Sequence, residues 1–214
     1  MYLSQKDIEG LPKIQRLNII NSATGIKPAN LIATKSSEGQ SNVAIFSSVV
    51  HLGSAPALIG FIFRPQHEKP RDTYLNIKSS GLYTINQVPT SKVEQAHFTS
   101  AKFPKEISEF SRCGFEEEYL FDFPVPFVKE SALKMGLELV EELPIKSNNT
   151  ILMIGKVLHL QFPDEMMADD GSLNLSHIQT AGISGVNTYY ELNRMAQFPY
   201  AHVKDVPSFT SSNA

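Results

Sequence analysis

The chain has 214 residues, 42% hydrophobic and 19% charged, enough for one sizeable core, so a single domain over residues 1–214 is the expected organisation. A net charge of −3 with scattered Lys and Arg gives no basic face for nucleic acid or an anionic membrane, and no apolar run approaches the roughly 20 residues of a membrane helix. Cys113 is the single cysteine, which excludes an intramolecular disulfide, and the N-terminus MYLSQKDIEGLPK lacks a secretory apolar core; a cytoplasmic protein is expected.

Ser4 is placed to cap a short helix through Glu9, and Pro12 suits the first turn of a second, with Ile14, Leu17 and Ile20 on one stripe expected to pack outside a barrel. Asn30 to Thr34 (NLIAT) and Asn42 to Phe46 (NVAIF) are β-type runs joined by KSSEGQS, whose Glu38-Gly39 pair signals a hairpin. Ser47 and Ser48 follow, then Val49 and Val50. Hydroxyls at a strand end serve either a ligand or a turn of the chain itself, and both uses are open here.

Ala57 to Phe63 (ALIGFIF) is apolar on both alternating faces, as a strand covered on both sides should be, and Gly60 marks a bulge or a close approach. Arg64, His67, Lys69 and Arg71 then gather before Asp72 and Thr73, which open an apparent helix ending at Gly81. Cations beside a helix N-terminus, with its unpaired N–H groups and positive dipole end, suit a phosphate. The competing reading makes Asp72 a cap and the cations a solvated loop.

Leu82 to Val88 (LYTINQV) alternates as a strand, with Asn86 inside it needing either a structural partner or a ligand. Ser91 to Thr99 and Lys105 to Ser111 read as short helices that Phe98, Phe103, Phe110 and Phe115 would bury, together forming an insertion over the barrel mouth. Ala132 to Leu143 mixes strand and helix signals and is assigned as a strand. Thr150 to Phe162 is a long strand bent at Gly155, and Thr188 to Leu192 a last short one. Helices do not alternate regularly with strands, so a closed or partly open antiparallel barrel is expected rather than a βαβ sheet.

No G-x-G-x-x-G, P-loop or G-x-S-x-G elbow is present, and the six histidines show no metal-binding spacing; no metal site is expected. His97, within the predicted insertion, is the one histidine carried forward as a catalytic candidate.

Several of these stretches together resemble the flavin reductase-like proteins with an FMN-binding split barrel. They are Leu31 to Thr34 with Gly39 and NVAIFSS, the APALIGFIF strand, KPRDTYLNI from Lys69 to Ile77, LYTINQVP, EFSRCGF and the Gly155 strand TILMIGKV. The resemblance implies a mainly β fold, a six-stranded antiparallel Greek-key split barrel with peripheral helices, assembled as a homodimer with FMN near the subunit interface. It implies that Ser47, Ser48, Val49 and Val50 lie along the flavin ring, that Arg64, Lys69, Arg71, Asp72 and Thr73 surround the phosphate, and that Asn86 lies near the flavin. It further implies NADH or NADPH as reductant, passing hydride to the flavin; a flavin-binding electron carrier or flavin store is the alternative. The chain departs from the family pattern at Ser54-Ala55-Pro56, where an Asp-Pro-Pro step is usual. It departs again at Ile183-Ser184-Gly185 before Tyr189 and Tyr190, where an arginine is usual.

Overall fold

The structure, a computed structural model, describes residues 1–66 and 70–208. The first helix, α1 (Gln5–Gly10), is opened by a capping box in which the Ser4 hydroxyl accepts from the Asp7 N–H and the Asp7 carboxylate accepts from the Ser4 N–H. The second, α2 (Lys13–Ala23), follows Pro12, and neither helix contains a buried residue. The Ile14–Leu17–Ile20 stripe therefore does not seat on the barrel as expected: Ile14 and Ile20 are exposed.

After the two-residue strand β1 (Lys27–Pro28) come the hairpin β2 (Asn30–Lys35) and β3 (Ser41–Phe46), then β4 (Val50–Ser54) and β5 (Ala57–Phe63). The helix α3 (Asp72–Ser80) ends on Gly81, whose φ of 73° is the left-handed cap that glycine adopts without steric cost. It leads into β6 (Leu82–Gln87), α4 (Val93–Phe98), α5 (Glu109–Cys113), the short pair β7 (Glu117–Glu118) and β8 (Phe127–Val128), and the long hairpin β9 (Lys134–Ile145) and β10 (Thr150–Gln161). The chain ends in β11 (Ala181–Ser184), β12 (Thr188–Glu191) and an extended arm. Among the described residues no helix is long and apolar enough to cross a membrane.

The main sheet is antiparallel with strand order β3-β2-β6-β9-β10-β5-β4. Strands β3 through β5 are six strands that curl into the expected barrel, and β4 continues the sheet past its edge. Closure across the split is made by a side chain. The Ser48 hydroxyl accepts from the Ile62 N–H at 3.0 Å and donates to the Ile62 carbonyl at 3.2 Å, tying the end of β3 to the end of β5. Phe46 adds edge-on contacts to Phe61 and Phe63, each with ring centroids 5.3 Å apart. Replacing Ser48 by Ala should lower stability by about 1–2 kcal/mol, since the Ile62 groups lose their partner in a partly buried place. Chemical denaturation checks this, and an unchanged midpoint would mean the split holds without it.

The barrel interior contains Ile32, Phe61, Phe63, Tyr83, Ile85, Leu137 and Met153, with Ile77 of α3 packed among them, so α3 plugs one end of the barrel. Each such side chain stabilises the fold by roughly 1.5–3 kcal/mol through its removal from water. Gly155 lies where β10 slips register against β9. A Cβ there would come within 1.9 Å of the Tyr83 hydroxyl, so the expected bend exists to let a tyrosine cross the barrel.

A second core lies outside the barrel. Leu31 and Ala33 on the outer face of β2, with Val43 of β3, are covered by Ala96 of α4, Phe110 and Cys113 of α5, and Phe115, Val128, Ala181 and Ile183. The segment expected over the barrel mouth thus covers the β2–β3 flank instead, which is why β2 is buried along both faces. Its second helix begins at Glu109 rather than Lys105, because Pro104 starts a turn closed by Ile107 N–H to its carbonyl at 3.0 Å. Phe98 was expected to bury this segment and is exposed.

Candidate functional site

Between β3 and β4 the chain leaves the sheet. Among the described residues no backbone group of Ser47, Ser48 or Val49 pairs with another backbone group, and the Ser47 hydroxyl has no partner. Three successive residues therefore present unpaired N–H and C=O groups at the split, unusual unless water or a ligand meets them. Ser48 itself is committed to Ile62, Val49 packs against the barrel core, and Val50 is exposed. The structure thus divides the four residues: Ser47 and the strip of backbone are available, and the Ser48 side chain is not.

Phe63 joins this strip to the start of α3, touching Phe46 on one side and Tyr74 on the other at 5.5 Å. The first turn of α3 has no side-chain cap among the described residues. Its N-cap, Arg71, has its own N–H satisfied by the Gln66 side-chain oxygen at 2.9 Å, and the N–H groups of Asp72 and Thr73 have no partner among the described residues, with the exposed Arg71 and Arg64 side chains nearby in sequence. Such a turn accepts an anion. Lys69, expected to contribute, falls outside the described residues together with His67.

Thr73 is buried, and its hydroxyl donates to the Asn42 side-chain oxygen at 2.9 Å when the Asn42 amide is oriented to give its N–H to Glu109 Oε2 at 3.2 Å. Thr73 can offer an anion its backbone N–H but not its hydroxyl. Asp72 gives a first-turn N–H and also a negative charge that opposes a phosphate.

Glu109, which sequence reasoning did not place here, stands behind this turn. Burial pushes its carboxyl above the usual range, the Asp72 charge adds to the rise, and hydrogen bonds and Arg71 work the other way. A carboxyl easier to protonate in the fold than in the unfolded chain favours folding below the unfolded value, and that contribution is lost as pH rises through the folded one. Glu109→Gln should therefore raise the melting temperature more at alkaline pH than in mild acid, and should tighten anion binding by removing a charge beside Arg71. An equal gain at both pH values would contradict this.

Asn86 is fully buried and fully satisfied. Its amide donates to the Leu31 carbonyl at 3.2 Å and Thr84 Oγ1 at 2.9 Å, and its oxygen accepts from the Val128 N–H at 3.0 Å. Of the two readings open in the sequence, these bonds favour the structural one, because both amide hydrogens and the oxygen are engaged within the fold and the side chain is wholly buried. His97 pairs with the Tyr189 hydroxyl at 3.2 Å and stacks edge-on against that ring, fastening α4 to β12. It is not drawn toward the Ser47 strip by any bond in the structure.

Two cavities lie elsewhere: one of about 310 Å³ among Gln87, Pro89, Ala132, His177 and Gln179, and one of about 500 Å³ between α4 and α5 beside Phe98, Phe103 and Arg112. Neither includes a residue of the shelf formed by the Ser47 strip and the α3 turn. Among the described residues no three His, Cys, Asp or Glu side chains converge on a metal-sized centre.

The split antiparallel barrel is the fold the sequence resemblance implied. The family model of the flavin reductase like domain matches residues 26–180, and the chain belongs to that family of flavin-related oxidoreductases. A candidate flavin reductase with a split barrel domain from Shewanella frigidimarina superposes with a TM-score of 0.90 at 45% identity, over 94% of this chain and 100% of that one. Nitrilotriacetate monooxygenase component B from Bacillus cereus superposes with a TM-score of 0.81 at 18% identity, over 92% and 98% of the two chains. An FMN-binding protein from Thermus thermophilus does so with a TM-score of 0.69 at 14% identity, over 93% of this chain and 99% of that one, a likeness of fold alone.

Proposed function

We propose that this protein is an FMN-dependent oxidoreductase, in which NADH or NADPH lies against the flavin and passes hydride to it, and that it works as a homodimer with the flavin near the subunit interface.

The observation that carries the reading is the pairing of two hydrogen-bonding surfaces near Phe63 that have no partner among the described residues: the backbone strip at Ser47 to Val49 and the first turn of α3. A flat ring with polar edges fits the first, and a phosphate fits the second. Arg64 and Arg71 would hold the phosphate by charge, the N–H groups of Asp72 and Thr73 by direct hydrogen bonds, and Ser47 with its neighbouring backbone would orient the ring. When bound, FMN supplies the hydride-accepting chemistry. The chain's own task is to hold the ring flat and to set N–H donors where negative charge gathers, which needs no acid–base pair.

The two-copy reading is supported by the outer face of β4, β5, β9 and β10. Val50, Leu52 and Leu143 are each between 42% and 48% exposed there and form an apolar patch. The single, buried Cys113 fits a reducing compartment such as the cytoplasm.

Anaerobic addition of NADH or NADPH to the purified protein with FMN tests the function. Bleaching of the flavin absorbance faster than with free FMN is expected; binding without bleaching would leave the electron-carrier alternative, and no binding would end the proposal.

A further inference from the structure

After β12 the chain leaves the body of the protein as an arm from Leu192 to Val206. It carries Met195, Phe198, Tyr200 and Val203, each between 83% and 98% exposed, and the only side-chain hydrogen bond from the arm to the body among the described residues is Gln197 Nε2 to Asp170 Oδ2 at 3.1 Å. Leu192 at its root lies against Gly182, but these four side chains find no such cover in their own chain and gain nothing from their exposure.

Two observations say what covers it. The chain exposes an apolar sheet face of its own, described above, so a second copy offers a matching surface. The arm is long enough: 15 residues reach at most about 50 Å when extended, against a body on the order of 40 Å across for 214 residues.

We propose that the arm from Leu192 to Val206 grips a second copy of this chain, its Met195, Phe198, Tyr200 and Val203 seating on the partner beside the apolar sheet face. At roughly 150 Å² a side chain these four bring about 600 Å² from each copy, and the two arms together reach the low end of a stable interface before the sheet faces are counted. The inference rests on the two-copy reading above and extends it, since the arm would tie the two flavin shelves into one assembly.

The test keeps the full chain. The variant Met195→Glu/Phe198→Glu/Tyr200→Glu changes side chains that are 83% to 98% exposed, Tyr200 lying against the His202 ring of the same arm, so its circular dichroism should match the parent. Its dimer dissociation constant by sedimentation equilibrium should rise at least tenfold. Independently, p-benzoylphenylalanine in place of Phe198 should give, on irradiation, a covalent species of twice the chain mass. A variant that dimerises as tightly as the parent, or cross-links confined to one chain, would overturn the arm's role and leave the dimer standing. A parent chain that is monomeric at every concentration would overturn the two-copy reading itself.

Discussion

Gly155→Ala is expected to cost the fold about 3 kcal/mol or more. The added methyl would sit 1.9 Å from the Tyr83 hydroxyl and 2.8 Å from its ring carbon, and Tyr83 is wholly buried in the barrel with no room to turn. The clash has a specific partner, so it has a specific remedy. The Tyr83 hydroxyl has no hydrogen-bond partner among the described residues, and burial holds its pKa far above the ordinary phenol value. Tyr83→Phe alone should therefore be neutral or stabilising by about 1 kcal/mol, because it removes an unpaired buried group. In the double variant the loss from Gly155→Ala should fall by at least half. Urea denaturation of the four proteins measures the coupling, and additive effects would show that the alanine acts through the backbone rather than through Tyr83.

Arg71→Ala should weaken FMN binding by roughly 1.5–3 kcal/mol, about ten- to a hundredfold, if its guanidinium meets the phosphate. The side chain is exposed, so stability should not change. Riboflavin, which has the same ring and no phosphate, supplies the control: its affinity should be the same for both proteins. Equal loss for the two ligands would move Arg71 from the phosphate to the ring, and no loss for either would remove it from the site.

The barrel was legible because its strands carry strong local signals. Ala57 to Phe63 is apolar on both faces because Phe61 and Phe63 point into the barrel while Ile62 and Leu58 look outward on the sheet face, and Gly155 announced a bend that proved to be a register slip. The strand β4 was missed because Val50 to Ser54 neither alternates nor lacks glycine, and Leu52 bulges out of register over Gly60. The helical segments were read at the right place but with the wrong destination, since an apolar stripe does not say which surface it meets. Ile14 and Ile20 meet none in the protomer.

At the site, residue type alone overstated how many side chains are free. Thr73, Ser48 and Asn86 have the chemistry of ligand contacts, and the fold commits each to an internal bond. What remained invisible was the reverse case: the unpaired backbone at Ser47 to Val49 depends on where two strands part, and Glu109 reaches α3 only through the packing of α5 on β3.

Crystals grown with excess FMN test the central claim most directly. The account predicts the phosphate against the first turn of α3, within hydrogen-bond reach of the Asp72 and Thr73 N–H groups and flanked by Arg64 and Arg71, with the ring along Ser47 to Val49. Density for FMN at any other place, or a saturated crystal in which that turn faces only solvent, would contradict it.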